Sequence, residues 1–132
     1  MRVYLASTAD ELQEFLAEKT LDITEVYAPT PIYSATHPEM DEEEIEFSLS
    51  LLAAEDSLEL TDDHSGAPIV IAFELPAELL GAFDEVSANL SAPLLWSMVE
   101  AIFLVGDEPE DLTWFAPQEA EAMISQWLQG ND

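Results

Sequence analysis

The sequence predicts an α+β fold, a mixed sheet of about five or six strands packed with three or four helices. Three observations predict it. Short apolar runs, at residues 67–75 and 98–105, are bounded by Gly and Pro as strands are. Segments with helical spacing of apolar residues alternate irregularly with them, the longest spanning residues 39–60. The chain has 132 residues, 48% of them hydrophobic, which suits one domain with a substantial core. Residues 1–132 show no internal repeat, low-complexity run or linker and read as a single domain.

Residues 1–6 read as a buried strand, with Val3, Tyr4 and Leu5 apolar together. Ser7 or Thr8 then caps a helix, with Glu11 at capping-box spacing from Thr8 and Asp10 in the first turn. Leu12, Phe15 and Leu16 form its inward stripe. Residues 23–28 are a short strand that Pro29 and Pro31 end, and the stretch to Pro38 reads as a loop. The long helix follows, with six acids in the eight residues 39–46, where the helix dipole favours them. Ile45, Leu49, Leu52 and Leu60 lie on one side of it, and Phe47, Leu51, Ala54 and Leu58 on nearly the opposite side. Such a helix is expected to be sandwiched between elements, or to meet a partner with one face.

Residues 67–75 are an apolar strand, residues 76–83 a short helix with Pro near its start, and residues 86–92 an edge strand. Residues 98–105 form a strong strand closed by Gly106 and an acidic turn. Residues 112–115 form a short aromatic strand. Pro117 opens a last helix with Ala120, Met123, Ile124, Trp127 and Leu128 inward, and Gly130 ends it.

Charge constrains function most. Twenty-nine Asp and Glu face two basic side chains, Arg2 and Lys19, for a formal net charge of −27. Pairing cannot neutralise this surface, so its carboxylates repel one another and salt screens them. Binding to nucleic acid is excluded, since affinity there comes from neutralised phosphates. An anionic membrane surface would repel the chain, and the 14-residue apolar stretch 93–106 is too short to span a bilayer. Walker and dinucleotide-binding glycine patterns are absent, so no cofactor is expected. No cysteine is present for a disulfide, thiolate metal site or nucleophile, and MRVYLAS lacks the pattern of a signal peptide. A cytoplasmic location is the expectation.

Three segments, MRVYLAS, EEEIEFSLSLLAAEDSL and DLTWFAPQEAEAMI, resemble a family of small actinobacterial proteins known only as a domain of unknown function. Its members typically open MRVYLPAT and close LLWY-APQEI. Here Ala6 stands for the usual Pro, and Thr113 and Phe115 for Leu and Tyr. The resemblance implies a cytoplasmic bacterial protein and carries over no site.

Asp62, Asp63 and His64 form the one local cluster with metal-ligand character, although three adjacent residues cannot converge on an ion without ligands from elsewhere. The competing reading is a solvated loop after the long helix. Asp107, Glu108, Glu110 and Asp111 could hold calcium weakly but lack the Gly and distal Glu of an EF-hand loop. The candidate general bases are His37, His64 or a carboxylate whose pKa crowding raises, and no G-x-S-x-G or triad order accompanies them. Trp96, Trp114, Phe115 and Trp127 could line an aromatic pocket, with core packing the competing reading.

The expectation is therefore a non-catalytic protein-interaction module, steered by its acidity to a basic protein and able to form a homodimer. Glu42, Glu43, Glu46, Phe47 and Leu51 are its candidate partner-binding residues. The alternative is a DNA mimic that occupies a nucleic-acid-binding protein, with Glu39, Asp41, Glu42, Glu43, Glu44 and Glu46 continued by Glu55, Asp56 and Glu59 as the imitation. A second alternative is a small enzyme whose site lies in a pocket that composition does not reveal.

Overall fold

A computed structural model describes residues 1–61 and 66–129. Its elements are β1 (Arg2–Thr8), α1 (Ala9–Glu18), β2 (Thr20–Leu21), β3 (Glu25–Tyr27), α2 (Pro31–Thr36), α3 (Glu42–Leu60), β4 (Pro68–Glu74), β5 (Leu80–Phe83), β6 (Ser87–Leu90), β7 (Leu94–Leu95), β8 (Val99–Val105), β9 (Leu112–Phe115) and α4 (Pro117–Leu128). The fold is α+β. Seven strands form one sheet in the order β5-β6-β3-β1-β4-β8-β9, and β2 pairs with β7 separately. Where a mixed sheet was expected, every ladder is antiparallel. The centre of the sheet, β1-β4-β8, is the apolar runs of the sequence. Only a strand covered on both faces can be apolar at consecutive positions, and helices cover both faces here.

α1 and α4 cover one face. Leu12 and Phe15 of α1 and Ala120 and Trp127 of α4 meet Val3, Leu5, Ile69, Ile71, Phe73 and Ile102. Thr8 caps α1, accepting from Glu11 N–H at 3.3 Å. The Glu11 carboxylate does not close a reciprocal capping box but accepts from the Ser7 hydroxyl at 2.6 Å. Chain ends of three elements are tied by backbone: Ala9 N–H donates to Ala67 O and Ala67 N–H to Trp127 O. Gly66 stands at this junction with φ +76°, and a Cβ there would lie 2.8 Å from Trp127 O and 2.9 Å from Ala9 Cβ. Both the dihedral and the space demand glycine.

α3 covers the other face, resting on Tyr4, Val70, Ala72, Ala101 and Val105. Asp41 caps it in a full capping box with Glu44. Its buried residues are Ile45, Leu49, Ser50, Ala53, Ala54 and Ser57. At about 100° per residue, the small residues Ser50, Ala53 and Ser57 lie between the two apolar stripes seen in the sequence. The helix is therefore not sandwiched. It sits down on the sheet through small side chains, and the apolar stripes straddle the contact. The hydroxyls of Ser50 and Ser57 are satisfied within the helix, donating to Phe47 O at 2.6 Å and Ala54 O at 2.9 Å. The outer ends of the stripes stay open, with Phe47 57% and Leu60 55% exposed.

Local chemistry explains the remaining differences. The stretch read as a loop before Pro38 contains α2, because Thr30 caps it, accepting from Tyr33 N–H at 3.0 Å, and Pro31 fills its first position. The helix expected at residues 76–83 is one 3₁₀ turn, Ala77–Leu79, running into β5. β6 is consequently one strand in from the edge. β2 and β7 are two residues each, too short for period-2 alternation to show.

Candidate functional site

Three positions on the α3 side draw attention, and α3 places all of them. Glu43, Phe47 and Leu51 follow one another at four-residue spacing along the flank facing β8 and β9, and Glu46 and Ser50 run beside them. Asp56 lies roughly half a turn from Phe47, on the flank facing β3.

The β9-side flank opens a groove of about 410 Å³. Tyr4, Phe47, Ser50, Phe103 and Leu112 line it, with Glu43, Glu46 and Glu110 around the rim and Arg2 at one end. Phe103 and Trp114 are opposite each other in the β8–β9 ladder, so their side chains share a face. Trp114 thereby extends the groove outward as an apolar shelf, and it is 58% exposed. Leu51 is half-buried. Thus three of the five expected partner-binding residues, Glu43, Glu46 and Phe47, line the groove, and Leu51 follows one turn further along the helix. Glu42 instead lines an adjoining cavity of about 420 Å³ with Arg2, Ile45 and Glu46.

Electrostatics at the groove are uneven. Arg2 lies 5.8 Å from the centroid of the Tyr4 ring, and its Nε is buried without a hydrogen-bond partner. Burial raises the Glu46 carboxyl above the usual carboxylate range. Arg2 draws it down, and Glu42, Glu74 and Glu43 push it up again. Burial also raises the Tyr4 phenol, with Arg2 opposing and Glu46 adding to it. At the β8–β9 turn, Glu108 is raised by a hydrogen bond from its side chain to Glu110 and by the charges of Glu110, Asp107 and Asp111. Among the described residues two ion pairs form, the N-terminal ammonium with Glu74 at 2.9 Å and Lys19 with Glu121 at 3.5 Å.

On the β3-side flank the Tyr27 hydroxyl donates to Asp56 Oδ2. The pair borders a cavity of about 280 Å³ with Tyr4, Glu25, Val86 and Ser87. Burial, the bond to Asp56 and the charges of Asp56, Glu25 and Glu55 all hold the Tyr27 proton. Sequence reasoning missed this pair, since nothing local links residues 27 and 56.

The other candidates divide plainly. Asp62, Asp63 and His64 lie outside the described residues, as does Gly130. Among the described residues no three His, Asp or Glu side chains are grouped as metal ligands would be. His37 caps α2 and its Nδ1 meets Tyr33 O and Thr36 Oγ1, both at 3.0 Å, with the ring 4.4 Å from that of Tyr33. Trp96 packs edge-on against Phe15 at 5.2 Å, and Phe115 against Trp127 at 5.0 Å, all on the α1–α4 face. Of the four aromatics Trp114 alone stands on the groove's face of the sheet. Its signal was the alternation of Leu112 and Trp114 in a short strand. Acids stand on both helical layers, as Asp10, Glu14 and Glu121 do on α1 and α4, and do not form one band along α3. No helix among the described residues is long and apolar enough to cross a membrane.

No curated protein and no solved structure matches the chain. Residues 1–110 match a family of unknown function, DUF6912, a stretch that holds the whole sheet except β9 and all of α3. The closing motif lies beyond the matched stretch. With more than four-fifths of its length matched, the chain belongs to this family of unknown function.

Proposed function

We propose that the chain is a non-catalytic protein-interaction module of the cytoplasm, and that it takes a basic partner in the groove between α3 and β9. The observation that carries this reading is the groove itself, apolar along Phe47, Phe103 and Leu112 and acidic at Glu43, Glu46 and Glu110. Interface anchors are apolar or aromatic at the centre with polar groups around them. An acidic rim selects a partner whose apolar anchor is flanked by Lys or Arg, and it steers that partner at long range. The same charge disfavours a second copy of this chain, which also carries −27.

The test is calorimetric titration with synthetic peptides that carry Leu or Val anchors among lysines. Binding should weaken at least about tenfold between low and high monovalent salt. Reversing the rim with Glu43→Lys and Glu110→Lys should abolish binding at low salt and leave the melting temperature within a few degrees. A control pair on the opposite layer, Glu14→Lys and Glu121→Lys, changes net charge equally. If the control weakens binding as much as the rim pair, overall charge drives the association and the groove does not.

A further inference from the structure

The groove has a strand for a wall, and that strand is the edge of the sheet. β9 pairs with β8 through Val105–Leu112, Phe103–Trp114 and their neighbours, and no strand among the described residues pairs with its outer side. The phase of its hydrogen bonds follows from one contact. Gly106 N–H donates to Asp111 O at 2.7 Å, which makes Gly106 and Asp111 a hydrogen-bonded pair. Bonded and non-bonded pairs alternate in an antiparallel ladder. Leu104–Thr113 and Ile102–Phe115 are then bonded pairs, and Val105–Leu112 and Phe103–Trp114 are not. The N–H and C=O groups of Leu112 and Trp114 therefore point away from β8. The side chains of the same two residues stand on the groove face. Just beyond them the chain is closed: Ala116 N–H is taken by Glu119 Oε1 at 2.9 Å and Pro117 has none.

We infer that the groove receives its basic partner as an extended strand, added antiparallel or parallel to the outer edge of β9. Its backbone would bond to Leu112 and Trp114, and every second side chain would lie beside Trp114 over the groove. Charge complementarity names the occupant. Asp107, Glu108, Glu110 and Asp111 crowd the turn that leads into this edge, and Glu43 and Glu46 face it across the groove. A Lys- or Arg-bearing strand with alternate apolar residues satisfies both the edge and the rim. Sheet edges are commonly protected by shortness, bulges, prolines or charges; β9 is only four residues long, but it contains no bulge, proline or charge. This inference rests on the interaction reading above and adds the mode of binding.

The experiment uses the full chain, isotope-labelled for NMR, at low salt. Two probes of equal charge are titrated, a nine-residue peptide alternating Val with Lys and Thr, and a helix-forming peptide of Ala, Leu and Lys. The strand inference expects the alternating peptide to slow hydrogen exchange at Leu112 and Trp114 at least about tenfold, with Thr113, already bonded to β8, little changed. Trp114→Pro removes an outward donor without touching the β8 ladder, and Trp114→Ala keeps that donor. The proline variant should bind about fivefold to tenfold more weakly than the alanine variant, the value of one hydrogen bond. Retained exchange protection at Leu104 shows that the ladder survives in both variants. If the helical peptide binds the groove and neither probe protects Leu112 and Trp114, the strand mode is overturned while the interaction reading stands. If neither probe binds, both fall. Protection of the two amides only on dimerisation of the chain at high salt would overturn the basic partner in favour of a second copy.

Discussion

The two faces of the sheet are closed by opposite means. On one face two helices meet large side chains, with Phe15 against Phe73 at 6.0 Å and Trp127 against Phe115. On the other a single long helix rests on the sheet through Ser50, Ala53, Ala54 and Ser57. Small residues let a helix approach closely, but they fill little volume at its sides. Two aromatics on this side, Phe47 and Trp114, consequently remain more than half exposed. The first face carries stability, and the second leaves apolar surface open at the edge of the sheet.

The sharpest way to break this comparison is to make one substitution on each face. Phe15 is fully buried and Phe47 is 57% exposed. Phe15→Ala removes a buried ring and leaves a cavity, costing about 3–5 kcal/mol. Phe47→Ala has no cavity to create and should change stability by about 0.5 kcal/mol or less. Urea unfolding of both variants checks the pair. Equal losses would mean that the α3 flank is part of the core after all.

A smaller effect tests the close approach of α3. Ala53 is fully buried on the sheet-facing side. Ala53→Leu adds three carbons where helix and sheet already touch, and overpacking of this kind costs about 1–3 kcal/mol. Glu55→Leu, which places the same side chain on the exposed side, should be near neutral. A neutral Ala53→Leu in thermal unfolding would show that the helix stands off the sheet with room to spare.

The small-residue contact also explains what could be read in advance and what could not. β1, β4 and β8 were legible because buried strands are apolar runs bounded by Gly, Pro or acidic turns, and β9 because a short aromatic run stands between an acidic turn and Pro117. α1 and α4 were legible because their inward stripes are large and regular. α3 was legible as a helix and illegible as to its face, since Ser50, Ala53 and Ser57 carry no hydrophobic signal while the flanking leucines do. Its acids were expected in a helix running from residue 39, where the dipole favours them, whereas the helix begins at Glu42, with Asp41 and Glu44 forming its capping box. The candidate groove was half legible. Glu43, Glu46 and Phe47 are neighbours in sequence, whereas Arg2, Phe103, Glu110 and Leu112 come to them only through the order of the strands. The Tyr27–Asp56 bond was hidden for the same reason.

That bond gives the smallest effect and sharpens the contrast between the two flanks of α3. The flank facing β9 is open and apolar, while the flank facing β3 is pinned by a hydroxyl on a carboxylate. Tyr27→Phe removes the donor and keeps the ring, and for a half-exposed pair the loss should be about 0.5–1.5 kcal/mol. The sign of its pH dependence follows from the direction of the shift. Burial first, then the bond to Asp56 and the surrounding carboxylates, raise the folded Tyr27 above its ordinary 10.0. A raised folded value means that the native state holds this proton more tightly than the unfolded chain does. The contribution is therefore complete below pH 10.0 and is lost as pH rises above it. Wild type and Tyr27→Phe share Tyr4 and every carboxylate, so those groups cancel in the difference between them. The stability gap measured by urea unfolding should be full at about pH 8 and should narrow, then reverse, towards about pH 11. A gap that stays constant across this range would mean that Tyr27 ionises as it does in water, and that Asp56 does not hold it.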